Sequence, residues 1–258
     1  MESKDAAAAP TAHAAHAAHA VLPPARVAVT GASGFVGSHV VRELLSRGYN
    51  VTATLRSLDN EAKHAHLRAM PGADERLTLK GGGDITTAGS YDEAFADAEA
   101  VIHCAAQVHQ ARQTIGMMAS HLEGTRNVLL SAHKAGARLR RFVQTSSVAA
   151  IIDPFAAQDK AHPTSFSEAD WSDACSVAKG GYYATGKREA ERLVRGFGEL
   201  MLEEQGEVVA FDTVAICPSV VIGESLTKAH TKASPVFVRQ LMCVAWALWV
   251  GVEGRGTL

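Results

Sequence analysis

Apolar positions along this chain switch between two spacings. Short strand-type runs recur at Arg26–Thr30, Asn50–Leu55, Leu77–Lys80, Ala100–Cys104, Phe142–Ser147 and Val208–Cys217, the last stopping at Pro218. Asn50–Leu55 alternates, and Ala100–Cys104 reads as a buried-type strand. Between them lie helix-length stretches: one reaching about Ser46, one over Thr114–Lys134 and one over Tyr182–Arg195. In the second, Leu122, Val128 and Leu129 fall on one side. Strands separated by helices imply right-handed βαβ units, hence an α/β chain built on a doubly wound parallel sheet. No internal repeat interrupts this order.

The turn after the first strand carries chemistry. Thr30 is followed by Gly31-Ala32-Ser33-Gly34-Phe35-Val36-Gly37 and then by a helical pattern. Gly31 suits a tight turn, Gly34 lets backbone approach a pyrophosphate, and Gly37 lets helix and strand pack closely. The helix start that follows offers free N–H groups and a positive dipole end to phosphates. Strand before and helix after are the context that makes this spacing a dinucleotide site of Rossmann type. Gly31, Ser33, Gly34, Phe35, Val36 and Gly37 are its candidate cofactor-binding residues. An NAD site has an acid about 20 residues on, for the ribose 2′-OH. Here Arg56 stands 19 residues after Gly37 and no acid closes the second strand. A guanidinium suits a 2′-phosphate, so the cofactor reads as NADP(H). Lys63 can add a second positive charge, and Asp84 with Ile85 is placed to edge the adenine.

Tyr183 and Lys187 form Tyr-x-x-x-Lys on a helical stretch, which puts both polar tips on one face. The stretch follows the strand end Thr145-Ser146-Ser147. Hydride transfer to a carbonyl carbon leaves an oxygen that needs a proton. A phenol with an ordinary pKa of about 10 is a poor donor at neutrality. A neighbouring ammonium from Lys187 lowers that value and also holds the nicotinamide ribose. A Ser147 hydroxyl would orient the carbonyl oxygen.

These stretches resemble the extended short-chain dehydrogenases/reductases. The likeness is strongest to the branch of dihydroflavonol, cinnamoyl-CoA and methylglyoxal reductases. It runs from Val27 to Gly223 through VAVTGASGFVGSHVV, AVIHCAAQV, RRFVQTSSVAAI, YYATGKREAE and CPSVVIG, in the family's order. The resemblance implies that Arg56 and Lys63 bind the 2′-phosphate and that Ala105 and Ala106 line the ribose. It implies a catalytic triad of Ser147, Tyr183 and Lys187. It also implies nicotinamide contacts from Pro218 to Val221. Val148-Ala149-Ala150 stand where sugar dehydratases carry acids, which favours plain reduction. The residue before the lysine, usually Ser, is Gly186. The expected activity is reduction of an aldehyde or ketone. A hydroxysteroid-type dehydrogenase and a nucleotide-sugar epimerase are the enzyme alternatives. A non-catalytic NADP-binding module or inactive fragment is the alternative of another class.

Composition narrows the rest. The 258 residues are 47% hydrophobic and 20% charged, with a net charge of −2. No basic field points to nucleic acid. Four cysteines without a CxxC pair fit reduced thiols in the cytoplasm and no metal site. Residues 1–25 form an Ala/His-rich stretch ending at Pro23-Pro24, expected to be a disordered tail. A metal site at His13, His16 and His19 is the lesser reading. Residues 26–223 are expected to form the NADP-binding domain, and 224–258 the start of an incomplete substrate lobe. Most of that lobe is expected to be missing, since the branch runs on for roughly another third of the chain. Leu241–Val250 is ten apolar residues, too short to span a bilayer.

Overall fold

The computed structural model describes residues 20–106, 114–152 and 165–232. The three tail histidines, the run Leu241–Val250 and most of 224–258 lie outside them.

Six strands form one parallel sheet: β1 Arg26–Thr30, β2 Asn50–Leu55, β3 Leu77–Gly81, β4 Ala100–His103, β5 Arg141–Thr145 and β6 Asp212–Ile216. Their order is β3-β2-β1-β4-β5-β6. This is the doubly wound order whose crevice opens where β1 and β4 diverge. The helices are α1 Phe35–Ser46, α2 Ala65–Arg68, α3 Ala73–Arg76, α4 Asp92–Phe95, α5 Ile115–Lys134 and α6 Tyr182–Gln205. Among the described residues no helix is long and apolar enough to cross a membrane.

Successive strand residues point to opposite faces, so a central strand feeds two cores. In β1, Val27 and Val29 join Val41 and Leu45 of α1, Val51 of β2 and Leu67 of α2. Ala28 joins Val101, Leu129, Phe142, Phe197 and Phe211 on the other face, under α5 and α6. Both layers are closed, which is why β1 reads as a continuous apolar run. The β5–β6 edge is held by Arg141 opposite Asp212, a bidentate pair at 2.6 and 2.9 Å.

Four expectations change. α6 runs ten residues past Arg195. Gly196 and Gly198 are not breaks, because Val194, Phe197 and Met201 at helical spacing are buried in the core. The helix ends instead at Gly206, whose φ of 69° and N–H bond to the Leu202 carbonyl close it. β6 starts four residues late, since Val208 is 80% exposed. β5 stops at Thr145, which leaves Ser146 and Ser147 on the loop at the strand end. Leu122 is exposed although Val128 and Leu129 are buried. At its level α5 meets α6 through His121, whose ring lies against Tyr183 and Gly186.

Candidate active site

The phosphate turn is built by close approach. Gly31 has φ +64°, and a Cβ there would lie 2.8 Å from Ala105 at the end of β4. A Cβ on Gly37 would collide with the Gly31 carbonyl oxygen. No side chain larger than hydrogen fits at either position without moving backbone. The start of α1 has Gly34 as its cap, no side-chain capping bond and no acid in the first turn. Its N–H groups and positive dipole end therefore face the crevice unsatisfied by protein side chains.

Two adjoining cavities meet at this turn. The smaller, about 350 Å³, is lined by Gly31, Ser33, Gly34, Arg56, Lys63, Gly83, Ile85, Tyr91, Cys104, Ala105 and Ala106. The larger, about 460 Å³, shares Gly31, Gly34, Arg56, Cys104 and Ala106 with it and adds Phe35, Val36, Gly37, Ser147, Tyr183, Lys187, Pro218 and Val221. A third, larger groove lies between α1 and Val221–Glu224 and includes neither Tyr183 nor Lys187.

Arg56 follows β2, with 75% of its side chain exposed, and stands 3.9 Å from Asp84. It is free to turn toward an anion. Lys63 sits on a single 3₁₀ turn, Glu61–Lys63, rather than on an α-helix. Asp84 does not line either cavity. Its carboxylate accepts from the Thr86 N–H at 3.0 Å and hydroxyl at 2.8 Å. Those bonds, with the nearby Arg56 charge, hold it below the usual carboxylate range. The wall at this point is made by Gly83 and Ile85.

Tyr183 and Lys187 sit one turn apart on α6 and face the strand ends of β4 and β5. The Lys187 ammonium donates to the Thr145 carbonyl at 3.0 Å. Burial pulls its pKa down to about 8, with Cys104, Cys217 and Glu191 acting in the opposite direction. Burial raises the Tyr183 phenol, and a hydrogen bond with Ser147 draws it part of the way back. Ser147 caps a 3₁₀ turn, its hydroxyl accepting from the Ala149 N–H at 3.2 Å. The Ser146 N–H donates to the Ile216 carbonyl, and the Val148 N–H to that of Pro218. These bonds bring the segment after β6 alongside Ser147, Tyr183 and Lys187. Gly186, in place of the usual Ser, lies close to α5: a Cβ there would be 3.2 Å from the His121 ring and from the Met118 backbone.

Sequence reasoning missed Cys104, Thr145 and Glu191 as site residues. Cys104 follows β4 and Thr145 ends β5, and their side chains touch at 3.3 Å, a position readable only after strand order is known. Glu191 lies four residues after Lys187 and shares its face. Among the described residues no group of His, Cys, Asp and Glu side chains is arranged to hold a metal.

Known proteins share this framework. Tetraketide alpha-pyrone reductase 2 of Arabidopsis thaliana is 34% identical over 208 residues, covering 77% of this chain and 59% of that protein. Cinnamoyl-CoA reductase 1 of Oryza sativa subsp. japonica is 41% identical over 148 residues, covering 57% and 40%. The solved structure of yeast methylglyoxal/isovaleraldehyde reductase with NADPH aligns at a TM-score of 0.67 and 27% identity, covering 78% of this chain and 60% of that one. The chain thus spans at most about three fifths of these relatives' length. Residues 27–245 match the NAD dependent epimerase/dehydratase family, and the chain belongs to that family.

Proposed function

We propose that this chain carries the site for NADPH-dependent reduction of an aldehyde or ketone to an alcohol. One observation carries the reading. Ser147, Tyr183 and Lys187 line the same cavity as the glycine turn and Arg56. The cradle fits a dinucleotide, because Gly31 and Gly37 leave backbone where any Cβ would intrude. In this reading the α1 N-terminus and the Gly31–Gly37 turn hold the pyrophosphate. Arg56 and Lys63 hold a 2′-phosphate by charge-assisted bonds. Ile85 borders the adenine, Ala105 and Ala106 border the ribose, and Pro218 and Val221 border the nicotinamide. Asp84 acts through Arg56, as its carboxylate points there and not into the cavity.

Bound NADPH supplies the hydride. Ser147 donates to the substrate carbonyl oxygen and fixes its direction. Tyr183, kept protonated at neutral pH by burial, gives its phenolic proton to that oxygen as negative charge develops. Lys187 then stabilises the phenolate left behind and binds ribose hydroxyls. The three neighbours supply the same argument in name, since each is a reductase. The free thiols Cys104, Cys175 and Cys217 suit a reducing compartment, the cytoplasm in this reading.

The test is Tyr183→Phe in the chain as given. NADPH affinity, read by fluorescence titration, stays the same. Turnover of carbonyls that the wild type reduces falls at least about 100-fold, the scale of lost general-acid catalysis. Unchanged turnover refutes the role of Tyr183. NADPH binding without turnover of any carbonyl by the wild type leaves a binding module in its place.

A further inference from the structure

A fully buried acid stands behind the cavity wall, and the mechanism above makes no use of it. Glu191 lies on α6, one turn after Lys187, and is 0% exposed. Its Oε2 accepts from the Ser146 hydroxyl at 2.5 Å and from the Cys217 thiol at 3.2 Å. Its Oε1 pairs with Arg195 at 2.5 Å. Arg195 in turn lies over the Trp171 ring, 4.8 Å from its centre. Burying an ionised carboxylate costs several kcal/mol unless it is paired and hydrogen-bonded. These contacts spread over α6, the β5 end and the β6 end, so the acid is built into the site's frame.

We infer that Glu191 is a positioning residue for the active site. Its carboxylate anchors the Thr145–Ser146 strand end, where Lys187 docks, and sets a negative charge one helical turn from Lys187.

The groups facing Lys187 support this. From β4 come His103, held neutral by burial with a pKa of about 3, and Cys104, a thiol pushed up by burial. From the β6 end comes Cys217, pushed up to about 11 by burial and by Glu191. From α5 comes His121, against the Tyr183 ring at 5.6 Å. Tyr183 itself is raised by burial. At neutral pH the thiols and phenol carry no charge. Among these described groups Glu191 is the one carboxylate. Without its charge, burial would act on Lys187 with less opposition.

Two readouts test the inference in the full chain, one of them independent of turnover. Cys217 alkylation by iodoacetamide at pH 8, resolved by site with mass spectrometry, reports the field of Glu191 directly. In Glu191→Gln the thiol loses a neighbouring anion and its rate rises about tenfold, one pH unit's worth of thiolate. Glu191→Asp keeps the charge and keeps the slow rate. Cys175, 1% exposed, stays protected and reports that the fold is intact. The second readout is kcat/KM against pH, which rests on the reductase reading. Its alkaline fall moves down by about one pH unit in Glu191→Gln and returns in Glu191→Asp. Equal Cys217 rates in wild type and Glu191→Gln overturn the inference, as does an Asp variant that behaves like the Gln variant. If Glu191→Gln exposes Cys175 and has unfolded, the Asp variant decides: wild-type Cys217 rate and pH limb uphold the inference, and altered ones overturn it. Cys217 rates that follow the expectation, in a wild type that reduces no carbonyl, uphold the field of Glu191 and reject the reductase reading.

Discussion

Acid should loosen this fold through one histidine. His103 ends β4 with 3% of its surface exposed, and its Nδ1 shares a 2.7 Å hydrogen bond with the Thr30 hydroxyl of β1. Burial first, then the charges of Lys187 and His121, hold its pKa at about 3, against 6.5 in an unfolded chain. The sign follows from proton counting. Between these values the unfolded chain binds a proton that the folded chain refuses, so stability is full above about pH 6.5 and falls as pH drops toward 3. Each pH unit in that window is worth about 1.4 kcal/mol. By pH 5 the loss from His103 is about 2 kcal/mol, and the whole window amounts to about 5 kcal/mol. Urea unfolding at pH 7.5 and pH 5.0, on wild type and His103→Gln, measures it. Gln can keep a bond to Thr30 but does not titrate. The variant starts less stable, yet its drop between the two pH values should be smaller than the wild-type drop by about 2 kcal/mol. Equal drops in the two proteins would mean that His103 takes up its proton in the folded state, and the burial argument would fail.

Other outcomes follow from the same geometry. Gly37→Ala places a Cβ against the Gly31 carbonyl and 3.0 Å from the Ala32 Cα. Overpacking of about 1–3 kcal/mol should open the turn and weaken NADPH binding by about tenfold or more; an unchanged titration curve would remove the turn from the site. Arg56→Ala should raise the Kd for NADPH about tenfold and leave that for NADH alone, since one charge-assisted contact is lost. Equal losses for both nucleotides would contradict the 2′-phosphate assignment. Phe142, 0% exposed in the α5–α6 core, should cost about 3–5 kcal/mol on truncation to Ala. Denaturant unfolding checks this, and a cost below 1 kcal/mol would show a core that collapses into the gap.

The alternation of strands and helices was legible because each element states its own period. The runs at β1 and β4 are mostly apolar since both faces are covered, and Gly31, Gly34 and Gly37 declare a turn that needs bare backbone. Tyr183 and Lys187 were legible for the same local reason, as four residues on a helix is one face. Helix and strand ends were less legible. Gly196 and Gly198 carry an unfavourable local propensity that the burial of Phe197 and Met201 overrides. Val208 looked like strand and is not, as it lies largely exposed ahead of β6.

What the sequence could not state are contacts between residues far apart in the chain. Lys187 meets the Thr145 carbonyl across 42 residues, and Glu191 meets Ser146 across 45. The turning of Asp84 away from the cavity and the neutral state of His103 likewise depend on which surfaces come together. Local periodicity and the glycine spacing determined the architecture, the phosphate turn and the pairing of Tyr183 with Lys187. Protonation states, the setting of Lys187 and the buried acid behind it were decided by the tertiary structure alone, because desolvation and charge act through space and leave no spacing in the chain.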